Sequence, residues 1–415
     1  MKIVHVVMNY YPSLGGTQWL FQNISERLVK NYGDEVTVLT IDSYYGPEKK
    51  IYKKIFPAIE IHNGVLVKRF SFRHWHQKPL RLLMKVSAKL FGTYPASWKE
   101  QLYGPHSKQL LKALQECDTD VICGSSSAYT FMQYPLWRKH FKRKYPFVYM
   151  GAVHFTEREN EQVLDKKMLQ SINASEQYIA NTSFEKERLM VLGIEEDKIQ
   201  VNGCGVDPDL YAKNGNRNIL REKFGILEDD IVVGFVGRQE RMKNIEVLIS
   251  AVKEARKVNN KIHLIIAGAS SGYSDQLQIL VNDSNRSGNK IHVLSDIDEI
   301  TKINLFHAMD IFASASASES FGIVFVEAWA CRKPVIGSDI GAIRCIIDHE
   351  ANGLLAEPFS VAAFANAIVR LAANQQERDA MAEQGYDKML QQYTWDVVTK
   401  KYRDTYIKAK VLFEN

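Results

Sequence analysis

In SASESFGIVFVEAWACRKPV, residues 316–335, two glutamates stand with seven residues between them. Glu327 is set among Ile323, Val324, Phe325, Val326, Ala328 and Trp329. A buried carboxylate costs several kcal/mol unless something satisfies it. At about 100° per residue, eight steps turn roughly 80° past two full turns, so one continuous helix would not set both acids on one face. They converge if the helix starts between them, and Gly322 lets the chain turn there. Glu319 then lies in a loop after a strand, and Glu327 about one turn inside the helix. The free N–H groups of Phe321 to Val324 face the same place and favour an anion. Such an element offers a phosphate seat and two acceptors for hydroxyl groups, as a nucleotide sugar requires. The competing reading is two surface glutamates on a solvated face. Val324, Ala328 and Cys331, in the same helical sector as Glu327, argue against it.

Two further stretches carry compatible chemistry. In FVGRQERMKN, residues 235–244, a strand ends at Gly237, and Arg238 and Lys243 follow in a loop. Cations at the end of a parallel strand neutralise a diphosphate, and arginine does so with paired hydrogen bonds. In NYYPSLGGTQWL, residues 9–20, Gly15 and Gly16 separate a first strand from a first helix. Glycines there let backbone N–H groups approach a phosphate. Solvated loop cations and a plain tight turn remain the alternatives.

Alternating elements must hold these residues in place. Apolar runs at 2–8, 35–40, 120–126, 147–153 and 177–183 read as strands. They lack period-two alternation, as parallel strands covered on both faces should. A second set reads at 231–237, 261–268, 290–295, 310–316 and 333–339, with helices between. This predicts an α/β protein of two Rossmann-like, doubly wound parallel-sheet domains facing a cleft. The Gly-, Asn- and Asp-rich stretch 202–218 marks the join. We expect an N-terminal domain over 1–205 and a C-terminal domain over 206–393. A last helix, 394–415, carries Trp395, Val398 and Tyr402 on one face and needs a surface to cover.

Composition narrows the class. The chain has 415 residues and a formal net charge of +5. Residues 51–150 carry 17 Lys and Arg against 5 Asp and Glu, which suggests an anionic partner or membrane surface. No apolar run reaches the ~20 residues needed to span a bilayer. The apolar start of the chain reads as a strand and not as a signal sequence. Five scattered cysteines suggest neither a disulfide framework nor a zinc site, and a reducing cytoplasm fits. The Asp207-Pro208-Asp209 triplet imitates a metal-binding pair but lies in the linker, so no metal is expected.

In this order, the motifs resemble the retaining glycosyltransferases of family 4, which have the GT-B fold. The match runs through most of the chain. The family's glutamate-seven-glutamate motif is Glu319 to Glu327, its arginine and lysine are Arg238 and Lys243, and its double glycine is Gly15 and Gly16. Its linker resembles Asn202 to Asp207, and its closing aromatic helix, which returns to the first domain, resembles Tyr393-Thr394-Trp395. The resemblance implies that Glu327 holds ribose hydroxyls and Glu319 touches the donor sugar. Arg238 and Lys243 would stabilise the leaving diphosphate. Backbone at Gly16 and at Phe321, Gly322 and Ile323 would contact phosphate and sugar. His154, in MGAVHFTE, matches a family histidine at the cleft edge and would join Glu319, Arg238 and Lys243 in catalysis; a structural histidine is the alternative. The family's glycine pair and following acid become Gly341-Ala342-Ile343-Arg344, which leaves donor identity open. No cofactor is implied beyond the nucleoside-diphosphate sugar, the donor substrate.

The resulting expectation is sugar transfer to an acceptor hydroxyl. The acceptor would be a saccharide or lipid-linked saccharide of envelope or exopolysaccharide assembly. An epimerase or hydrolase on the same fold, a transferase for a small soluble acceptor, and a non-catalytic sugar-nucleotide-binding protein are the rivals. A Rossmann oxidoreductase is disfavoured because no GxGxxG follows the first strand. KPLRLLMKVSAKLF, residues 78–91, would align Lys78, Arg81, Lys85 and Lys89 on a helical stripe beside Leu82, Leu83, Val86 and Leu90. With FRHWH (72–76) and WRKHFKRKY (137–145), it suggests a cytoplasmic protein resting on an anionic inner leaflet. The bland alternative is a solvated basic face with core-packed leucines. No nucleic-acid recognition motif accompanies the charge.

Overall fold

The computed structural model describes every residue except 14, 45–52, 73–76, 96–97, 99–101, 103, 105, 126–129, 154 and 156–163. The expectation for His154 and most of FRHWH therefore fall outside the described residues.

Fourteen strands are described, in two sheets. The first contains β1 (Lys2–Val6), β2 (Glu35–Ile41), β3 (Ile59–His62), β4 (Val65–Phe70), β5 (Val121–Ser125), β6 (Phe147–Met150), β7 (Gln177–Ala180) and β8 (Ile199–Val201), in the order β3-β4-β2-β1-β5-β6-β7-β8. The second contains β9 (Ile231–Val236), β10 (Ile262–Gly268), β11 (Ile291–Ser295), β12 (Ile311–Ser314), β13 (Val335–Ser338) and β14 (Gly353–Ala356), in the order β11-β10-β9-β12-β13-β14. Every pairing is parallel except β3 with β4. That hairpin turns through Asn63 and Gly64, at φ 47° and 82°, the two positive values of a type I′ turn. Each sheet is covered on both faces by its own pair of hydrophobic clusters. This is why the inner strands are apolar throughout. The predicted two-domain α/β architecture is present; β3, β4, β8 and β14 were not anticipated.

Both sheets reverse their winding direction beside their first strand, between β1 and β5 and between β9 and β12. Loops leaving two such strands diverge and open a crevice at the C-terminal edge. In the second sheet those loops hold Arg238 to Lys243 and Glu319, so topology alone brings the two motifs together.

The chain crosses between the sheets twice, and the two crossings touch. Val206 donates its amide to the Tyr393 carbonyl at 2.8 Å and accepts from the Trp395 amide at 3.1 Å. Beyond them the helix Trp395–Glu414 returns to the first sheet. Its Trp395, Val398, Tyr402, Tyr406 and Ala409 complete a core with Leu20, Ile24 and Leu28 of the helix Gly16–Tyr32. A polar contact fixes its register. The buried His5 ring, on β1, bonds Ser25 Oγ at 2.8 Å and Tyr406 Oη at 3.0 Å. Burial pulls His5 down to about 3, so it stays neutral. Replacing Tyr406→Phe leaves that imidazole nitrogen unpaired, and urea denaturation should register a loss of about 1–2 kcal/mol with unchanged secondary structure.

Candidate functional site

Two loops meet at the edge of the second sheet. The first, after β9, ends in the short turn Arg241–Lys243 and in Asn244, at φ 47°. The second joins β12 to the helix Ile323–Ala330. Asn244 Nδ2 donates to the Ala315 carbonyl at 3.0 Å, and the Ala317 amide donates to the Met242 carbonyl at 3.0 Å. Tied in this way, the loops bring Lys243 Nζ to 2.6 Å from Glu319 Oε1. Their side chains are only 14% and 12% exposed, well below the level of a solvated surface pair. On the same two loops, Gln239 Oε1 and Ser318 Oγ are buried without a hydrogen-bond partner. Buried polar atoms are rarely left so.

The helix begins where the sequence predicts. Gly322 caps it at φ 93°, a left-handed value that a side chain would strain, and it offers no side-chain acceptor to the first turn. The N-terminal end of the helix therefore faces the crevice with its positive pole. Phe321 is buried and packs edge-on against Tyr393 at 5.5 Å. Only its backbone is on offer to a ligand, and the site is thereby anchored to the second crossing.

Glu327 answers the question of its apolar setting with a cation that sequence reasoning missed. Lys302, on the helix Glu299–Ala308, reaches Glu327 Oε1 at 2.9 Å and Glu299 Oε1 at 2.8 Å. Burial pulls the Lys302 ammonium down, but the charges of Glu327 and Glu299 outweigh it and hold the lysine above its ordinary value. The Tyr211 ring lies 5.6 Å below the same ammonium. No local signal marks Lys302, because its partner is 25 residues away on another helix.

The other expected residues fall at different distances from this centre. Arg238 is in the loop, but its side chain is 64% exposed and pairs with Glu240 at 2.9 Å. Gly15 caps the helix Gly16–Tyr32 at the C-terminal edge of β1, with no side-chain bond to it. A Cβ added at Gly16 would meet nothing within 4 Å, whereas one at Gly15 would run into Gln18 Oε1, so the turn is open on the Gly16 side alone. Arg344 is turned back on Asp339. Across the cleft, Phe184 packs on Gly341, and Ser183 Oγ lies 3.1 Å from Cys345 Sγ. Among the described residues no three His, Cys, Asp or Glu side chains are grouped to hold a metal ion.

The Glu327–Lys302 pair yields a test. Lys302→Met strips a buried carboxylate of its cation, and urea denaturation should show a loss of roughly 2–4 kcal/mol. The double variant with Glu327→Gln should recover part of it. Equal stabilities for the single variant and the wild type would deny the pair its role.

Comparison with known proteins places this geometry in a family. The sequence model described as Glycosyl transferases group 1 matches residues 216–388, and that of Glycosyltransferase Family 4 matches residues 14–210. A D-inositol 3-phosphate glycosyltransferase of Xylanimonas cellulosilytica is 28% identical over 248 residues, 58% of each chain. The match thus spans less than two thirds of that relative's length. An uncharacterised glycosyltransferase of Methanocaldococcus jannaschii is 26% identical over 98% of both chains. The crystal structure of Anabaena HepE in complex with UDP superposes with a TM-score of 0.70, covering 98% of this chain and 99% of that one at 17% identity, a likeness of fold. With one model over each domain and the two-sheet architecture shared, the chain belongs to the group 1, family 4 glycosyltransferases of the GT-B fold.

Proposed function

We propose that the protein transfers a sugar, with retention, from a nucleoside-diphosphate sugar to a hydroxyl of a membrane-proximal saccharide, in envelope or exopolysaccharide assembly. The observation that carries the reading is the enclosed Lys243–Glu319 pair, at the winding reversal and beside the open pole of the helix Ile323–Ala330. A diphosphate entering there competes with Glu319 for Lys243 and frees the carboxylate to accept a sugar hydroxyl. Lys243 and the helix pole then oppose the charge that grows on the leaving diphosphate, with little reorganisation. Glu327, paired with Lys302 at 2.9 Å, serves as the acceptor for a ribose diol. Arg238 joins only by exchanging Glu240 for phosphate. HepE, solved with UDP, makes uridine diphosphate sugars the first donors to try.

The helix Gln77–Phe91 supports the acceptor side of this reading. Leu80 and Met84 are its buried stripe, packed with Leu102 and Trp98. Leu82, Leu83, Val86 and Leu90 are exposed, at 64%, 53%, 46% and 67%, so the reading of core-packed leucines does not hold. Lys78, Arg81, Lys85 and Lys89 flank that apolar stripe. An apolar face bordered by cations fits an anionic bilayer surface. The cluster at 137–145 contributes less than its composition suggests: Arg138 is locked to Glu176 at 2.6 and 2.8 Å. No helix among the described residues is long and apolar enough to cross a membrane. The small acceptor named for the inositol-phosphate relatives favours a second reading, a soluble acceptor.

Products from a panel of nucleotide sugars, with and without acceptor, test the chemistry. Lys243→Ala should lose roughly 2–4 kcal/mol of transition-state stabilisation, and Arg238→Ala less. Glu319→Gln should reduce transfer while sparing nucleotide affinity, and NMR should find the donor's anomeric configuration retained. Donor consumption without acceptor would point instead to hydrolysis or epimerisation.

Vesicle sedimentation tests the surface. Binding should require anionic lipid, fade with salt and weaken when Lys78, Arg81, Lys85 and Lys89 become Gln, each cation contributing ~1 kcal/mol. A protein that stays in the supernatant selects the soluble acceptor.

A further inference from the structure

The first domain contains a fully buried carboxylate that the proposed chemistry does not use. The helix Ser183–Val191 starts at Thr182, whose hydroxyl accepts from the Glu185 amide at 3.2 Å. Thr-x-x-Glu is capping-box spacing, in which the glutamate side chain returns to the cap's own amide. Glu185 does something else. Its Oε1 accepts from Tyr178 Oη at 2.6 Å and from the Val153 amide at 3.2 Å, and its Oε2 accepts from the Asn181 amide at 2.8 Å. Tyr178 belongs to β7, Asn181 follows it, and Val153 follows β6. The carboxylate therefore ties two strand ends and a helix start together at one sheet edge.

The chain next to it is shaped for this approach. A Cβ on Gly151 would lie 2.5 Å from Glu185 Oε1 and nearer still to Tyr178 Oη, so only glycine admits the carboxyl there. Ala152 is held at φ 56°, in the left-handed region that side chains avoid. It is clamped on both sides. The Gly151 amide donates to Ile179 O at 3.1 Å, and the Val153 amide donates to Glu185. The helix that supplies Glu185 also supplies Phe184, which packs on Gly341 of the second domain. One element thus anchors both the turn and the contact across the cleft.

We propose that Glu185 is a positioning residue: by accepting from Val153, Tyr178 and Asn181 together, its carboxylate holds the turn Gly151–Val153 in its left-handed form at the cleft edge, and loss of the charge releases the turn. All three partners are donors. An ionised carboxylate satisfies them, whereas the neutral acid brings a proton of its own and accepts more weakly. The Val153 bond, longest of the three, is the first to go. Among the described residues, the titratable groups facing Glu185 are Tyr178, Cys204 from the first crossing and Tyr402 from the C-terminal helix. None carries a positive charge. Burial pushes the Glu185 carboxyl up to about 7, with its hydrogen bonds opposing. The release therefore falls near neutral pH.

Two observables must then run in opposite directions. A carboxyl whose folded value is raised binds a proton that the unfolded chain has released. Its contribution to stability is present below about pH 4.5 and is lost as pH rises through about 7. The turn, by contrast, tightens as pH rises through the same value. A purely structural carboxylate would not oppose them.

The test is hydrogen exchange of the peptide covering Gly151–Val153, corrected for intrinsic rate, from pH 5.5 to 8.5. Wild-type protection should rise about tenfold around pH 7. In Glu185→Gln, which is neutral at every pH and opposes a donor to the Asn181 amide, it should stay low and flat. The urea midpoint of this variant should lose the wild type's decline from pH 5.5 to 8.5. Wild-type protection without an inflection, or a variant that keeps it, overturns the proposal, and neither readout needs a substrate. The consequence for catalysis rests on the transferase reading, because His154 follows Val153 in the chain. There, Glu185→Gln should lower kcat at pH 8 by tenfold or more with the donor KM unchanged. An inactive wild type would refute the transferase reading while leaving the exchange result to decide the role of Glu185.

Discussion

The two bonds between Val206 and the segment Tyr393–Trp395 set the geometry of everything else. They gather both passages of the chain between domains into a single narrow ribbon. A ribbon with one such crossing point lets the sheets rotate about it and resists their sliding apart. Phe321 packs on Tyr393, and Gly203 lies against Phe321. The loop that carries Glu319 is therefore anchored at the pivot, where rotation displaces it least. Lid and hinge motions of this kind commonly enclose a reacting substrate.

Electrostatics follow from that placement. Two acids with seven residues between them face different problems, and each has its own lysine. Glu319 is paired with Lys243 across two loops. Glu327 is paired inside the domain, where Lys302 answers also to Glu299. One pair closes the gap between two loops, and the other is a buried charge shared between two helices. The difference comes from the single turn at Gly322, which leaves one acid in the loop and takes the other into the helix.

Much of this was legible in the chain. Runs such as IVVGFVG and KIHLIIAG announce parallel strands because both faces are buried, and the winding reversal then places Lys243 near Glu319. Short or edge elements were not legible. β14 is four residues long, β8 three, and the β3–β4 pair hides behind a partly exposed alternation although Asn63-Gly64 signals its turn. Partnerships across long separations were equally silent. Lys302 looks like any helix lysine, Glu185 like an ordinary cap residue, and Arg138 like one more cation in a basic cluster. What distinguishes them is the neighbour supplied by the fold.

The return of the helix Trp395–Glu414 to the first sheet has a consequence for how the molecule is made. His5 and Tyr406 are bonded across 401 positions of sequence. During synthesis the β1 sheet is complete long before this helix emerges, and Leu20, Ile24 and Leu28 wait without their cover. The whole second domain is in effect an insertion that must be synthesised before the first can close. Contacts so distant in sequence slow folding and prolong the exposure of apolar surface. Truncation within the final helix would therefore harm the domain that is synthesised first and spare the one that immediately precedes the cut.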